Sequence, residues 1–354
     1  LLEAIGRFPG NRIIYRVPGS MPAYGYIAFG VIDRGTNVLQ ARPTTICPQN
    51  CVFCSVDAGI HSLNRWAEYI VDPELIVNGV RKAISVKGGG VEVLVDSMGD
   101  VLTYPWLTEL VSELKRMPGV SSVAIETHGL LLNKYIIDKL DEAGLDRVNL
   151  SIDVVDNEKA HLIYGTRYYD VKRVMELAEY IVRETNIDLH VTPLWLPGLN
   201  DEDVVSIIKW AIKIGAGKRW PPVTIQKYIR HKRGRKPRGV REVSWDGFWK
   251  WLSKVEEETG IRLHWSMNEW GMYYSRRIQP PVRKGGKVIA EVAGRGLFRG
   301  EYIGVVEGED YLVTIIPRGK NLKPGEKVLV EIVEDQDGLL IGRRLNTVSR
   351  PRSL

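Results

Sequence analysis

Cysteine is scarce in this chain: 354 residues hold three, Cys47, Cys51 and Cys54, confined to one short stretch. An odd, clustered set excludes a disulfide framework, and the spacing is too tight for a bridge. A metal or cluster loop in a reducing compartment is the reading left. Long apolar runs are also missing: nothing approaches the roughly 20 residues that span a bilayer. No stretch resembles a secretory signal, so a cytoplasmic protein with no membrane partner is expected. The chain opens on Leu1-Leu2 rather than Met, which places its expected true start upstream. Acid is absent from one segment: residues 218–241 read KRWPPVTIQKYIRHKRGRKPRGVR, whereas the whole chain carries a net charge of only +6. Abundant charge with few Gln suits a thermophile. There is no internal repeat and no low-complexity tract.

What is present suits a large α/β domain with a small module attached. From about Asn37, short β-branched runs alternate with amphipathic stretches. Strands are predicted at 38–41, 91–96, 122–126, 147–152, 187–191 and 223–226, with helices at 106–116, 133–143, 171–184 and 203–214. In the last helix Val204, Ile207, Ile208, Ala211 and Ile212 recur near helical spacing, as a sheet-facing side requires. Gly144 and Gly215 stand where helices should stop. This alternation predicts about six parallel β/α units. A helix over 245–258 and a strand near 262–265 follow. After Pro280-Pro281 the chain turns to short strands with Gly turns (KVIAEVA, YIGVVEG, YLVTIIPRG, KVLVEIVED), which predicts a small five-strand OB-like barrel. The expected parts are an extension at 1–35, an α/β domain at 36–279 with a basic loop at 227–241, and a barrel at 283–345.

The three thiols lie in Thr45-Ile46-Cys47-Pro48-Gln49-Asn50-Cys51-Val52-Phe53-Cys54. Three soft thiolates suit a [4Fe–4S] cluster and leave one iron open to a substrate or cofactor. The competing reading is a structural Cys₃His zinc site with His61 as fourth ligand. Such sites more often show paired C-x₂-C knuckles, and no second pair exists.

C-x₃-C-x₂-C with an aromatic before the third cysteine resembles the signature of the radical S-adenosylmethionine superfamily. The resemblance implies an α/β fold, a partial (β/α)₆ TIM-like barrel with this loop after the first strand. It implies that Cys47, Cys51 and Cys54 hold three irons while the fourth chelates S-adenosylmethionine beside Phe53. One electron, from a donor such as ferredoxin or flavodoxin, then releases a 5′-deoxyadenosyl radical. Ser97-Met98-Gly99-Asp100 stands where relatives have a Gly-Gly-Glu-Pro-like turn; Asp100 replaces the Glu, and a turn-capping role competes with cofactor contact. Thr127-His128-Gly129 is similar to the family's Thr-Asn-Gly, making His128 a candidate proton or hydrogen-bond donor. Ser151 and Asp153 end the fourth strand and are expected to face the cofactor, Ser151 bonding its carboxylate or ribose. Asp153 is the second catalytic candidate, with a capping alternative. The loop with Pro197, Gly198, Asn200 and Asp201 resembles one lying against the adenine, and also reads as a helix cap. Gln226 ends the sixth strand as a weaker candidate.

Residues 283–345 resemble a TRAM domain, a small RNA-binding barrel, including the turn Pro324-Gly325-Glu326-Lys327. Arg295, Arg299, Arg318, Lys320 and Lys323 are its candidate phosphate contacts. A stronger RNA signal is the run containing Arg230, Lys232, Arg233, Arg235 and Lys236, because such a block repels itself unless phosphates neutralise it. Trp245, Trp249, Trp251, Trp265 and Trp270 read either as stacking faces for an extruded base or as core. No spare cysteine exists for a second cluster or a methyl-shuttling thiol, which argues against sulfur insertion. The expected function is modification of a base in tRNA or rRNA. The alternatives are a radical enzyme for a peptide or metabolite, and a non-catalytic RNA binder with a structural cluster or zinc.

Overall fold

The computed structural model describes residues 1–319 and 321–345. Strands β1 (Glu3–Phe8) and β2 (Arg12–Val17) form an N-terminal hairpin. Strand β3 (Gly30–Asp33) runs antiparallel beside β4 (Val38–Arg42). The cysteine loop follows, and β5 (Ala67–Val71) then joins β2 in parallel. The N-terminal extension is therefore woven into a sheet of order β1-β2-β5 with a strand from beyond the cysteines.

From here the expected alternation holds: α1 (Pro73–Lys87), β6 (Val91–Val95), α2 (Leu107–Arg116), β7 (Val120–Thr127), α3 (Lys134–Glu142), β8 (Arg147–Leu150), α4 (Asn157–Tyr164), α5 (Val171–Glu184) and β9 (Asp188–Val191). Helix ends obey local chemistry. Asn133, Asp156 and Asp170 accept backbone N–H groups at the starts of α3, α4 and α5, and Gly88 and Gly165 take left-handed conformations after α1 and α4. The main sheet has the order β3-β4-β6-β7-β8-β9 and is parallel except at β3. Its two faces differ in kind. Leu39, Val93, Val95, Val123, Ile125, Val148 and Leu189 share one face and are fully or almost fully buried. The opposite face carries Gln40, Arg42, Glu92, Asp96, Glu126, Arg147, Asn149 and His190, following the two-residue period of a strand.

The sixth predicted strand is broken. After β9 come β10 (Leu194–Trp195), α6 (Asp201–Ile214) and β11 (Gln226–Lys227), the last paired in parallel with β10. Val191 N–H donates to Pro222 O, Thr224 N–H to Val191 O and Gln226 N–H to Pro193 O. Pro193 and Pro222 supply carbonyls but no N–H, so the ladder cannot run unbroken. The strand predicted near 262–265 is not formed either. Beyond α7 (Trp245–Thr259), the amides of Leu263 and His264 donate to the Glu256 carboxylate instead of to a neighbouring strand.

Strands β12 (Lys287–Arg295), β13 (Tyr302–Val306), β14 (Leu312–Ile316), β15 (Lys327–Glu334) and β16 (Ile341–Arg344) close a barrel of order β12-β13-β14-β16-β15. It is stitched to the rest through backbone. Leu312 N–H donates to Tyr24 O at 2.8 Å, Trp66 N–H to Leu297 O at 2.7 Å, and Tyr69 Oη to Arg295 O at 2.7 Å. At Gly25, with φ +101°, a Cβ would lie 2.1 Å from Leu312 O, so only glycine permits this approach. Deleting 283–345 strips these partners from Tyr24, Trp66 and Tyr69. The expected result is a truncated chain that no longer unfolds in one transition with the full-length chain's midpoint and retains less iron. An unchanged midpoint and iron content would show that the barrel folds as a separate appendage.

Candidate functional site

The cysteine loop is fastened on three sides. Thr45 N–H donates to Tyr69 O, Asp100 N–H to Ile46 O, and Asn50 and Val52 N–H to Tyr164 and Ile163 carbonyls. A Cβ on Gly99 would sit 2.1 Å from Ile46 O, so the turn after β6 presses directly on the chain leading into Cys47. Beneath lies an ionic network that sequence reading missed. Arg65, 0% exposed, donates to Thr45 O at 2.8 Å, Val56 O at 3.0 Å, Glu68 Oε2 at 2.9 Å and Met98 O. Glu68 also accepts Thr45 Oγ1 and Arg12 Nη1. Burial pulls the Arg12 guanidinium below its ordinary range, with Glu68 opposing. A lone Arg in a loop offers no sequence signal for this role.

Cys47, Cys51 and Cys54 line one cavity of about 290 Å³. Its wall also includes Phe53, Gly99, Asp100, His128, Ser151 and Gln226, which brings together most of the residues singled out in the sequence. Asp100 is 2% exposed; its carboxylate accepts Leu102 N–H at 3.0 Å, capping a short turn, and Thr127 Oγ1 at 2.9 Å. His128 Nδ1 lies 3.1 Å from Ser151 O. A carbonyl only accepts, so Nδ1 carries the proton and Nε2 is left for the cavity. Ser151 Oγ donates to Thr192 O at 3.2 Å.

Other expected residues lie elsewhere. Asp153 is fully buried and outside the cavity wall; its Oδ1 accepts Leu194 N–H at 2.7 Å, and burial raises its carboxyl, His128 charge opposing. Pro197 and Gly198 also stand outside the wall. There Asn200 accepts Leu196 N–H and donates to Asp153 O, and Asp201 accepts Gly198 N–H; Asn200 stands at the N-cap position of α6 but makes no side-chain cap bond, and these contacts hold the preceding loop instead.

The basic segment is divided. Arg235 pairs with Asp57 at 2.9 Å and donates to Cys51 O at 3.1 Å and to Ala58 O, while its own N–H bonds Cys54 O. Arg233 pairs with Glu301 and covers the Phe298 ring of the barrel. Both guanidiniums are thus paired within the protein, Arg235 largely buried and Arg233 still 41% exposed, which lessens their availability to phosphate. Arg230, Lys232 and Lys236 are exposed, as are Arg299 and Arg318; Lys320 lies outside the described residues. The tryptophans mostly pack: Trp195 stacks on Trp251 at 3.9 Å, Trp265 donates to Val223 O, and Trp270 meets His190. Trp245 and Trp249 remain exposed.

The donor set suits a cluster. Among the described residues no three His, Cys, Asp or Glu side chains converge closely enough to chelate a single ion, and His61 is exposed and off the cavity wall. A cubane core needs its thiolates spread more widely than one zinc ion does. Burial pushes the Cys47 and Cys51 thiols up, a cost that bound irons offset by favouring thiolate. Ala58 N–H already points at Cys54 Sγ at 3.2 Å. The Gln49 side chain, between two of the cysteines, is buried with neither polar atom partnered.

Comparison with known proteins agrees with this geometry. The pattern of the Radical SAM superfamily matches residues 42–211. Uncharacterized protein MJ0103 of Methanocaldococcus jannaschii is 32% identical over 340 residues, covering 91% of this chain and 78% of that protein. The GTP 3′,8-cyclase of Chlorobaculum tepidum is 29% identical over 178 residues, 50% of each chain, so only about half of that cyclase is spanned. In fold, Streptococcus suis SuiB bound to S-adenosylmethionine superposes with TM-score 0.50 at 15% identity, covering 65% of this chain and 51% of SuiB. The chain belongs to the radical SAM superfamily, which uses S-adenosylmethionine with a [4Fe–4S] cluster. No helix among the described residues is long and apolar enough to cross a membrane.

Proposed function

We propose that this protein is a radical enzyme in which Cys47, Cys51 and Cys54 hold the cluster, and in which a substrate carbon reacts inside the thiol-lined cavity. The observation that carries this reading is the convergence of all three cysteines with Asp100, His128 and Ser151 on one wall. Cluster and cofactor together supply reductive cleavage of the sulfonium to a 5′-deoxyadenosyl radical. With the cofactor bound, Phe53 would border it, the turn at Gly99 and Asp100 would receive its amino group, and Ser151 its polar end. Five parallel strands in order, with a broken sixth beside them, support describing the sheet as a partial (β/α)₆ barrel. Lys227, Tyr228, Ile229 and His231 line the cavity on one side. Anaerobic reconstitution tests the reading: the protein turns brown and forms 5′-deoxyadenosine under reduction. A colourless protein that leaves S-adenosylmethionine intact contradicts it.

For the substrate, a cavity of about 290 Å³ favours a small molecule or a side chain. A nucleoside triphosphate is not carried over from the cyclases, because only about half of the cyclase is spanned. Modification of tRNA or rRNA through a TRAM-like barrel stands as the second reading. It is favoured by the exposed Arg230, Lys232 and Lys236, and weakened by the internal engagement of Arg233 and Arg235. On that reading, tRNA binding falls steeply with salt. Changing Arg230, Lys232 and Lys236 to Ser lowers the logarithmic salt slope by about two to three, near 0.7–0.9 per lost phosphate contact. Filter binding across a salt series measures it, and no tRNA binding near physiological salt removes RNA as the substrate.

A further inference from the structure

The polar face of the sheet is a closed set of charge pairs with one member left over. Arg42 holds Asp96 through two nitrogens, at 2.8 and 3.0 Å. Arg147 holds Glu92, which also accepts Ser122 Oγ at 3.0 Å. Glu126 sits on the same face of β7, next to both pairs, and lines the cavity. No hydrogen bond or ion pair reaches its carboxylate among the described residues. The same cavity is lined by Tyr228, a residue 3% exposed whose hydroxyl also has no partner. The Tyr228 hydroxyl is desolvated without a partner, whereas the half-buried Glu126 carboxylate opens onto the cavity; an unpaired carboxylate on a cavity wall is a place a ligand can complete. The lysine on the cavity wall is taken: Lys227 is bound to Glu242.

We propose that the substrate carries an organic cation, a primary ammonium or a guanidinium, which binds Glu126 and hydrogen-bonds the Tyr228 hydroxyl. This rests on the reading of the cavity as the radical site and adds the substrate class to it. A carboxylate facing N–H donors makes charge-assisted bonds, and a guanidinium matches it bidentately. Such a group, anchored at Glu126, holds the rest of the molecule in the cavity that the three thiols share.

The test uses the reconstituted enzyme with its cluster reduced and with S-adenosylhomocysteine, a thioether that has no sulfonium to cleave. Paramagnetic broadening of probe protons by the cluster reports binding close to it. Methylguanidinium and propylammonium are compared with the neutral methylurea and propanol. The expected result is broadening of the cations alone, with affinity falling about tenfold to a hundredfold in Glu126→Gln, the range for a hydrogen bond to a charged group. Tyr228→Phe, which removes only a hydroxyl, weakens the cations less and keeps the test open should Glu126→Gln fold poorly. Burial and the neighbouring Asp96 push the Glu126 carboxyl up to about 7, against Arg42 and Arg147. Proton and cation compete for the same carboxylate, so cation affinity rises with pH through that region. Glu126→Gln loses this rise, which separates it from titration of His128 and His231 on the same wall. Agmatine and a blocked arginine peptide, run side by side, assign the group to a metabolite or to a peptide side chain. Equal broadening of cations and neutral probes, or unchanged cation affinity in Glu126→Gln, overturns the proposal. So does weakened binding of S-adenosylmethionine itself in Glu126→Gln, which would assign the carboxylate to the cofactor. A wild-type enzyme that forms no 5′-deoxyadenosine refutes the radical reading instead, a result distinct from all of these.

Discussion

Replacing any one of Cys47, Cys51 and Cys54 with Ala is expected to reduce 5′-deoxyadenosine formation to background. The chain contains three cysteines in all, so no other thiol can take a vacated position. Other donors are badly placed. His61 is exposed and off the cavity wall, and Asp100 is held by Leu102, Thr127 and His128. Losing one thiolate also leaves the remaining thiols in a buried setting that favours their neutral form. Iron and sulfide content after anaerobic reconstitution, with chromatography of 5′-deoxyadenosine, measures the effect. Continued 5′-deoxyadenosine production by the triple Ala variant would refute the radical assignment.

Arg65→Met is expected to be the most damaging change outside the cavity. The guanidinium joins the chain before Cys47, the chain after Cys54 and the turn at Met98, and it shares Glu68 with Arg12. Removing one partner from a buried ionic network typically costs about 3–5 kcal/mol. That is a large part of the roughly 5–15 kcal/mol that keeps a domain folded. Lysine cannot replace the planar fork, so Arg65→Lys should recover only part of the loss. Denaturant unfolding gives the stability change, and iron retention on gel filtration tests its link to the loop. A midpoint and iron content equal to wild type would mean that backbone contacts alone hold the cysteine loop.

Much of this was legible in the primary structure because it is encoded locally. Helix α5 occupies the predicted 171–184, and α6 ends at Gly215 as expected, because amphipathic period and capping residues act within a few positions. The polar face formed by Arg147, Asn149, Glu92 and Asp96 emerges only once the strands are paired. The antiparallel β3 and the parallel pairing of β2 with β5 had no such local mark.

Spacing alone determined the three-thiol loop, the β/α alternation and the short strands of the C-terminal barrel, since each depends on residues a few positions apart; closing that barrel pairs Lys287 with Glu331. Tertiary structure decided which charges are free. Arg235 reaches Cys51 across 184 positions and Arg233 reaches Glu301 across 68, turning an apparent phosphate-binding run into a clamp on the cysteine loop. Arg42 reaches Asp96 across 54 positions, and Arg147 reaches Glu92 across 55, leaving Glu126 alone between them. A charge's availability is a property of what folding brings within about 4 Å of it, and no residue's own place in the chain contains that information.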